Sequence, residues 1–360
     1  MKTTWKSLLK VGWSFILIAA MLFALTGCSL PDEKVVRIYN WGDYIDETVI
    51  NQFEEETGYT VIDSLFETNE QMYTDIVNGG GKYDVLFPSD YMIERMISED
   101  LLAEINFENV PNYSYIDDEY KNLSYDPENK YSIPYMWGTM GILYNTTMVS
   151  EPPTSWTALF DEQYDSSIFM LNSARDSIGI TLMMLGYDLN SVDEAELEEA
   201  KQALIEQSDL VLGYMVDDYK GKMIAGEAAL ALAWQGDAVF CISENEDLAY
   251  VIPKEGSNIF VDALCIPKNC PNKEGAEAFI NFLCRPDIAA KNAYYIGYSS
   301  PSTEAREVME TLDEESAGSG SDPIAYPDIT QYELYFFSSL GDKNKIYDRI
   351  WNEVLNSQQS

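Results

Sequence analysis

The residues best suited to chemistry are a carboxylate and two aromatic rings that occur together near the beginning of the chain. The stretch NWGDYI contains Trp41, Asp43 and Tyr44, and it lies between a predicted strand, Val35–Asn40, and a predicted helix, Glu47–Thr57. In open α/β sheets, ligands bind where strands give way to helices. Aromatic faces attract cations, and carboxylates form charge-assisted hydrogen bonds with them. The stretch therefore indicates a binding site for a positively charged ligand.

Two further aspartates occupy equivalent turns between strands and helices. Asp90 follows the predicted strand YDVLFPS, and Asp237 follows the predicted strand AALALAW. The N-terminus of a helix carries a partial positive charge and attracts anions, so acid at this place opposes the binding of phosphate or sulfate. The aspartates favour a cationic solute, and helix capping is the alternative explanation of both.

The composition is strongly acidic, with 22 basic residues against 61 acidic ones and a net charge of −39. Nucleic-acid binding needs a basic surface, so we expect no nucleic-acid partner. The acidity favours cationic partners and accelerates their encounter with the protein. Acid that only maintains solubility is the alternative, because many of these residues lie on predicted helix faces such as Ser191–Gln207.

The chain contains no histidine. This excludes Ser-His-Asp and Cys-His nucleophiles, HExxH zinc sites and imidazole bases, whereas catalysis by a pair of carboxylates stays open. Cys241, Cys265, Cys270 and Cys284 fit no CxxC metal pair and lie mostly in apolar contexts, which is typical of buried free thiols. One or two disulfides are the alternative in an exported protein. We expect neither a metal nor a cofactor.

Residues 1–27 have the features of a signal peptide, because a lysine-containing start precedes an apolar run. The LTGC sequence that follows resembles a lipobox, in which Cys28 receives a diacylglycerol and cleavage occurs before it. Residues 28–34 would then be a lipid anchor and tether on the extracytoplasmic face of the cell membrane. An ordinary signal peptide or a short transmembrane anchor is the alternative, although the apolar run is short for a membrane span.

Strands and helices alternate from Val35 onwards, which predicts an α/β protein with a mostly parallel sheet. A second α/β segment begins near Gly138, with predicted strands at Gly141–Asn145 and Ser167–Leu171 and a predicted helix at Ser177–Leu185. A chain of 360 residues is too long for one ordinary domain. We therefore expect two domains or lobes.

A series of short motifs occurs in one order along nearly the whole of residues 34–356. Each motif alone is weak, but the ordered set is specific, and together it resembles the spermidine/putrescine-binding protein family, the polyamine receptors of ABC importers. The motifs are NWGDY, YDVLFPSDY, YSIPYMWG, SARD, ALAWQGDA, IFVDALCIP, NKEGA, FLCRPDIA and IGYSSP.

The resemblance implies a two-lobed fold like that of periplasmic binding proteins, with a ligand cleft between the lobes that closes by a hinge motion. The lobes are expected to be discontinuous, since the chain crosses between them more than once, first at Gly138–Asn145. Lobe one would comprise residues 35–138 and 256–301, and lobe two residues 139–255 and 302–357.

The resemblance also implies a function without catalysis. We expect a monomeric receptor, anchored to the membrane through lipidated Cys28, that captures spermidine or putrescine and hands it to the transmembrane subunits of an ABC permease. A polyamine is a flexible chain of ammonium groups joined by methylenes. Its recognition needs carboxylates for the nitrogens and aromatic walls for the methylenes.

The expected ligand-binding side chains are those that match the family's motifs, together with the two turn aspartates. Asp262 matches the carboxylate that pairs with a central ammonium, and it lies in an apolar strand, where an unpaired charge is costly. The full set is Trp41, Asp43, Tyr44, Ser89, Asp90, Tyr91, Ser173, Asp176, Trp234, Asp237, Phe260, Asp262, Tyr298 and Phe337.

Three of these residues depart from the family's pattern. Ser173 stands where a second acid is often found near Asp176, Phe260 replaces a tryptophan, and Phe337 replaces a polar amide. The loss of one charge at one end of the site can shift the preference between diamine and triamine. Asp90 and Asp237 are candidates to compensate for it.

Two alternatives remain at this point. One is a receptor of the same fold for another cation-bearing solute. The other is a secreted glycosidase that uses a pair of carboxylates, because Trp, Tyr and Asp side chains also line sugar sites. The motif series gives no support to the glycosidase.

Overall fold

The computed structural model describes residues 34–79, 82–316 and 326–357, and the side chains of 312–316 are not described. The predicted signal peptide and Cys28 lie outside these residues. In the described part of the chain, none of the helices has the length and apolar character that a membrane crossing requires.

The structure alternates strands and helices along most of its length. The strands are β1 (Val35–Trp41), β2 (Thr60–Phe66), β3 (Val85–Leu86), β4 (Ser132–Asn145), β5 (Ile168–Leu171), β6 (Val211–Met215), β7 (Leu230–Trp234), β8 (Leu248–Val251), β9 (Ser257–Cys265) and β10 (Leu334–Tyr335). The α-helices are α1 (Glu47–Thr57), α2 (Asn69–Val77), α3 (Asp90–Ser98), α4 (Ala174–Met184), α5 (Glu194–Gln207), α6 (Tyr219–Ile224), α7 (Gln235–Glu244), α8 (Lys273–Leu283), α9 (Pro286–Ile296), α10 (Thr303–Ser316) and α11 (Asn344–Ser357).

The sheet contains two parallel groups of strands that are joined by antiparallel ones. Its order is β2-β1-β3-β9-β4-β7-β5-β6, with β8 on β4 and β10 on β9. Strands β1, β2 and β3 are parallel, as are β5, β6 and β7. Within each group the carboxyl ends of the strands therefore lie at one edge of the sheet.

Strand β4 belongs to both lobes. Its first part pairs antiparallel with β9, and its second part pairs with β7 and β8. The sequence predicted a strand only from Gly141, and this was too short, because the strand begins at Ser132. Pro134 obscures the pattern, since proline cannot donate a ladder hydrogen bond, and the register shifts directly after it, between Pro134 and Met136.

Each lobe has a hydrophobic cluster of its own, and a third cluster joins Tyr39 of lobe one to Met183 of lobe two. Buried side chains of β5, β7, α4, α5 and α11 form one cluster. Those of β1, α1, α8 and α9 belong to another, which also contains Ala305 and Met309 of α10. Residues 302–357 were expected in lobe two, but α10 packs on lobe one. We therefore propose that the two lobes have the expected bounds, except that α10 belongs to lobe one.

Several helices begin at residues other than those expected. Helix α4 begins at Ala174, because Ser173 caps it by accepting a hydrogen bond from the amide of Asp176. Helix α2 begins at Asn69 and is capped by Thr68, and the side chain of Asn69 lines the cleft. These small shifts matter because Ser173, Asp176 and Asn69 all lie at the site described next.

Candidate functional site

The carboxyl ends of both groups of parallel strands face one cavity of about 290 Å³ between the lobes. Loops after β1, β2 and β3 line it from lobe one, and loops after β5, β6 and β7 line it from lobe two. The structure places every expected ligand-binding side chain in this lining, from Trp41 at the end of β1 to Phe337 after β10.

The cavity is rich in acid. Its basic side chains are Arg175 and Lys220. Neither of them was expected from the sequence, and nor were Glu67, Glu70 and Asp217. The acidic side chains of the lining are Asp43, Glu67, Glu70, Asp90, Asp176, Asp217, Asp237 and Asp262.

Asp262 is a buried carboxylate, and only one of its two oxygens has a hydrogen-bond partner among the described residues. The residue is 5% exposed, and the hydroxyl of Tyr44 donates a hydrogen bond of 2.5 Å to its Oδ2 atom. Within the described residues its Oδ1 atom is buried and has no hydrogen-bond partner. Burial raises the pKa of Asp262 to about 6. A cationic donor in the cavity would supply the missing partner and favour the charged carboxylate.

Asp176 and Glu70 are further carboxylates of the cavity, and they come from different lobes. Asp176 lies in the first turn of α4, and burial raises its pKa to about 6. Glu70 lies in the first turn of α2 and is half-buried, and its Oε1 atom accepts a hydrogen bond of 3.1 Å from the Tyr91 hydroxyl. Burial raises the pKa of Glu70 as well. Both side chains are therefore more easily ionised when a cation approaches.

The side chain of Asn69 holds two expected site residues in place. Its Nδ2 atom donates to Ser89 Oγ at 3.0 Å and to the Tyr91 hydroxyl at 3.1 Å, and its Oδ1 atom accepts from the amide of Ser89 at 3.1 Å. All three residues are buried. The orientation of Tyr91 in the cavity is thus set by hydrogen bonds to α2 on both sides of its hydroxyl.

Asp90 and Asp237 line the cavity, but other groups of the protein already engage their oxygens. Asp90 accepts hydrogen bonds from the amides of Tyr91 at 2.6 Å and Val261 at 3.2 Å. Asp237 accepts one of 2.8 Å from the Tyr219 hydroxyl, and its other oxygen is 3.9 Å from Nζ of Lys220. Neither carboxylate is as available to a ligand as Asp262.

Aromatic rings form the walls between these carboxylates. Trp41 donates its indole N–H to the carbonyl of Phe87 at 2.7 Å, and its ring centroid is 4.4 Å from that of Phe66. The ring of Tyr298 lies 5.5 Å from that of Tyr44. These contacts fix the rings, so their faces are presented to the cavity without further ordering.

Two glycines create the space in which Tyr298 and Phe260 meet. A Cβ atom at Gly236 would lie 1.9 Å from Tyr298, and one at Gly138 would lie 2.9 Å from Phe260 and 3.2 Å from Tyr298. The centroids of the two rings are 5.9 Å apart. Glycine at the crossing strand β4 is therefore part of the construction of the site.

Phe337 bridges the lobes at the far end of the cavity. Its ring centroid is 6.0 Å from that of Tyr91 in lobe one, and the guanidinium of Arg175 in lobe two lies 4.5 Å above it. The guanidinium itself donates to the carbonyl of Ser338 and to Asn190. Phe337 therefore packs on a cation that the protein provides.

Asp43 is exposed at the mouth of the cavity and has a φ of 52°, a backbone conformation that aspartate tolerates better than most residues. Its Oδ2 atom is 3.8 Å from Nζ of Lys220, which comes from lobe two. This ion pair joins the lobes across the cleft.

Some of the unexpected lining residues could have been found from the sequence. Glu70 follows β2 and begins a helix, so it carries the same signal that singled out Asp90 and Asp237. No comparable signal marked Lys220, because a basic residue in a short helix such as α6 is usually a surface residue. Arg175 was missed for a different reason, since a charged side chain is rarely buried in a mostly apolar helix such as α4.

The comparisons with known proteins agree with the motifs. The sequence profile of the bacterial extracellular solute-binding proteins matches residues 48–318. The spermidine/putrescine-binding periplasmic proteins of Salmonella typhimurium and Escherichia coli are each 33% identical over 347 residues, which cover 95% of this chain and 98% of the relative.

Among solved structures, the spermidine/putrescine ABC transporter substrate-binding protein of Streptococcus pneumoniae is 40% identical. The match has a TM-score of 0.75 and covers 90% of this chain and 99% of the other. The fold, the lobes and the cleft between them are therefore those of a two-lobed substrate-binding protein.

Proposed function

The chain belongs to the bacterial extracellular solute-binding protein family, and on this premise we propose that it captures polyamines, spermidine or putrescine, and delivers them to the membrane subunits of an ABC importer. The resemblance and the two-lobed fold expected from the motifs are confirmed. Relatives with these names are substrate-binding components of transport systems, and we propose that this chain likewise catalyses no reaction.

The observation that carries the proposal is the carboxylate of Asp262. It is buried among aromatic side chains, one of its oxygens has no partner within the described residues, and burial raises its pKa. A neutral sugar would leave this charge uncompensated, whereas an ammonium pairs with it.

The remaining contacts fit an extended chain with several ammonium groups. We propose that Asp176 and Glu70 bind a second ammonium near the far end of the cavity, and that Trp41, Trp234 and Tyr298 cover the methylenes. An ammonium over an aromatic face contributes about 0.5–2 kcal/mol, and a hydrogen bond to a carboxylate contributes about 1.5–3 kcal/mol. A few such contacts reach micromolar affinity, about −8 kcal/mol, after the cost of ordering the ligand.

Titration calorimetry with spermidine, putrescine and a neutral oligosaccharide tests the proposal. We expect both amines to bind with one site per chain and the sugar not to bind. Binding of the sugar with release of a reducing end, and of neither amine, would instead identify a glycosidase. A crystal grown with spermidine that held an oxyanion in the cleft would also reject the proposal.

We also propose that Cys28 carries the lipid anchor and that the released protein is a monomer. The supporting observation is the LTGC sequence after an apolar run. Expression of wild type and Cys28→Ala with labelled palmitate tests the anchor. Label and protein should be found in the membrane fraction of the wild type, and the variant should lose both. Light scattering after gel filtration tests the monomer.

A further inference from the structure

The side chain of Lys220 occupies one corner of the cavity. Its Nζ atom is 3.3 Å from Asp217, 3.8 Å from Asp43 and 3.9 Å from Asp237. The lysine side chain is 14% exposed, and all four residues line the cavity. One ammonium that belongs to the protein is therefore shared by three carboxylates.

The three carboxylates come from different parts of the fold. Asp43 follows β1 of lobe one, whereas Asp217 and Asp237 follow β6 and β7 of lobe two. Without Lys220 they would form a local concentration of negative charge at this end of the cleft, and they would attract an ammonium of the ligand. The pKa of Lys220 is raised, although burial opposes this, because Asp237, Asp217 and Asp43 favour its charged form.

The middle of the cavity is different. Asp262 accepts a hydrogen bond from the neutral hydroxyl of Tyr44, no lysine or arginine of the described residues pairs with it, and its Oδ1 atom has no hydrogen-bond partner among those residues. A ligand ammonium thus gains a new partner at Asp262. At the corner of Lys220 it would meet carboxylates that already have a cation, and it would be repelled by that cation.

We propose that Lys220 is a specificity-determining residue, whose ammonium takes the place that a further ligand ammonium would occupy, so that the cleft favours diammonium over triammonium ligands. The inference rests on the proposed function, since it concerns the choice among polyamines. It differs from a role in holding the lobes together, because a contact that only closes the cleft affects all ligands alike.

Helix α6 provides a matched control. Lys222 lies two residues further along the same helix, is 38% exposed, and pairs with Glu227 at 3.0 Å away from the cavity lining. Lys220→Met and Lys222→Met therefore remove the same charge from the same helix. Lys220→Gln is a second variant that keeps a polar side chain of similar length.

The test is the ratio of the dissociation constants of putrescine and spermidine, measured by calorimetry at pH 7.5 and constant ionic strength for wild type and each variant. We expect Lys220→Met and Lys220→Gln to shift the ratio toward spermidine by at least about tenfold, the scale of one ionic contact. Lys222→Met should leave the ratio as in wild type, and Lys220→Arg should retain the preference for the diamine.

Other outcomes overturn the inference. An unchanged ratio in both Lys220 variants would show that the charge of Lys220 does not affect the choice between the two amines. Equal weakening of both amines would assign Lys220 to closure of the cleft. If wild type binds both amines and the variants give either result, only this inference fails. If wild type binds neither amine, the proposed function itself is wrong.

Discussion

The hydroxyl of Tyr44 donates a hydrogen bond of 2.5 Å to the carboxylate of Asp262, although the two residues are 218 positions apart in the chain. Tyr44 lies in the loop after β1, and Asp262 lies within β9. The bond fixes the carboxylate in one orientation and leaves Oδ1 for another donor. A charge held in this way needs little reorganisation when a ligand arrives.

Replacement of this carboxylate by an amide should remove most of the affinity for amines. In Asp262→Asn the ligand ammonium loses its ionic partner, so we expect binding of putrescine and spermidine to weaken at least about tenfold, or about 1.4 kcal/mol. The melting temperature of the ligand-free protein at pH 7.5 should not fall, because the change removes a desolvated charge. Calorimetry and thermal unfolding measure the two effects.

Asp209→Asn is the matched control for the loss of one negative charge. Asp209 is exposed and lies outside the cavity lining. Its replacement should leave affinity unchanged at 150 mM salt, where distant charges are largely screened. If both variants bind amines as wild type does, Asp262 is a structural residue and its proposed role is wrong.

Removal of the Tyr44 hydroxyl should change amine affinity through its effect on the Asp262 carboxylate, and not only through a lost contact between Tyr44 and the ligand. In Tyr44→Phe the charged carboxylate loses its hydrogen bond, which raises its pKa further. The pH at which amine affinity falls by half should therefore shift upward relative to wild type. Tyr135→Phe is the comparison, since its buried hydroxyl donates to the Tyr44 carbonyl and not to Asp262. It should lower the melting temperature without moving the pH profile, and an upward shift in both variants would exclude the specific role of Tyr44.

The positions of the turn residues could be predicted from the sequence because the physics is local. Parallel strands place their carboxyl ends at one edge, so the residues at the ends of β1 and β3 lie together, and those at the end of β7 lie at the matching edge of its own parallel group. The two-lobed fold implied by the motifs brings these two edges to one cleft. Trp41 and Trp234 are the last residues of β1 and β7, Ser89 follows β3, and all three line the cavity. The position of Asp262 came from the order of the motifs and from the cost of an unpaired charge in an apolar strand.

Whether the oxygens of each carboxylate are already engaged by protein hydrogen bonds could not be predicted from the sequence. Asp90 and Asp237 looked as available as Asp262, but the amide of Val261 and the hydroxyl of Tyr219 engage them. These partners are distant in sequence or unmarked by any pattern. The assignment of α10 to lobe one, which we propose, was likewise not expected, because the sequence of a helix does not indicate which surface it covers.

Affinity for amines should fall in acid. The pKa values of Asp176 and Asp262 are about 6 in the ligand-free protein, whereas an alkylammonium stays protonated throughout this range. Binding therefore needs these carboxyls to lose their protons, and we expect affinity to fall about tenfold per group between pH 7.5 and pH 5. Calorimetry at pH 6 in two buffers of different ionisation enthalpy should detect proton release. Proton uptake, or an affinity that is constant across the range, would contradict the expected ionisation.

The same shifts predict how stability depends on pH. For Asp262 the pKa of about 6 in the folded protein lies above the ordinary value of 3.8, so the folded state holds the proton more tightly than the unfolded chain. The stabilisation from this group is complete below about pH 4 and is lost as the pH rises through 6. The difference in melting temperature, Asp262→Asn minus wild type, should therefore increase from pH 4 to pH 7.5. A difference that is constant or decreases with pH would show that the carboxyl is already ionised in acid.

The amine site should also be sensitive to one methyl group on the crossing strand. In Gly138→Ala the new Cβ atom would lie 2.9 Å from the ring of Phe260, so this ring and Tyr298 must move. Because the site depends on the placement of these rings, we expect amine affinity to fall about tenfold, equivalent to about 1.4 kcal/mol. Gly221→Ala in α6 has open space around the added atom and should bind amines as wild type does. Calorimetry on both variants decides the matter, and equal affinities would mean that the Phe260–Tyr298 contact does not form part of the binding surface.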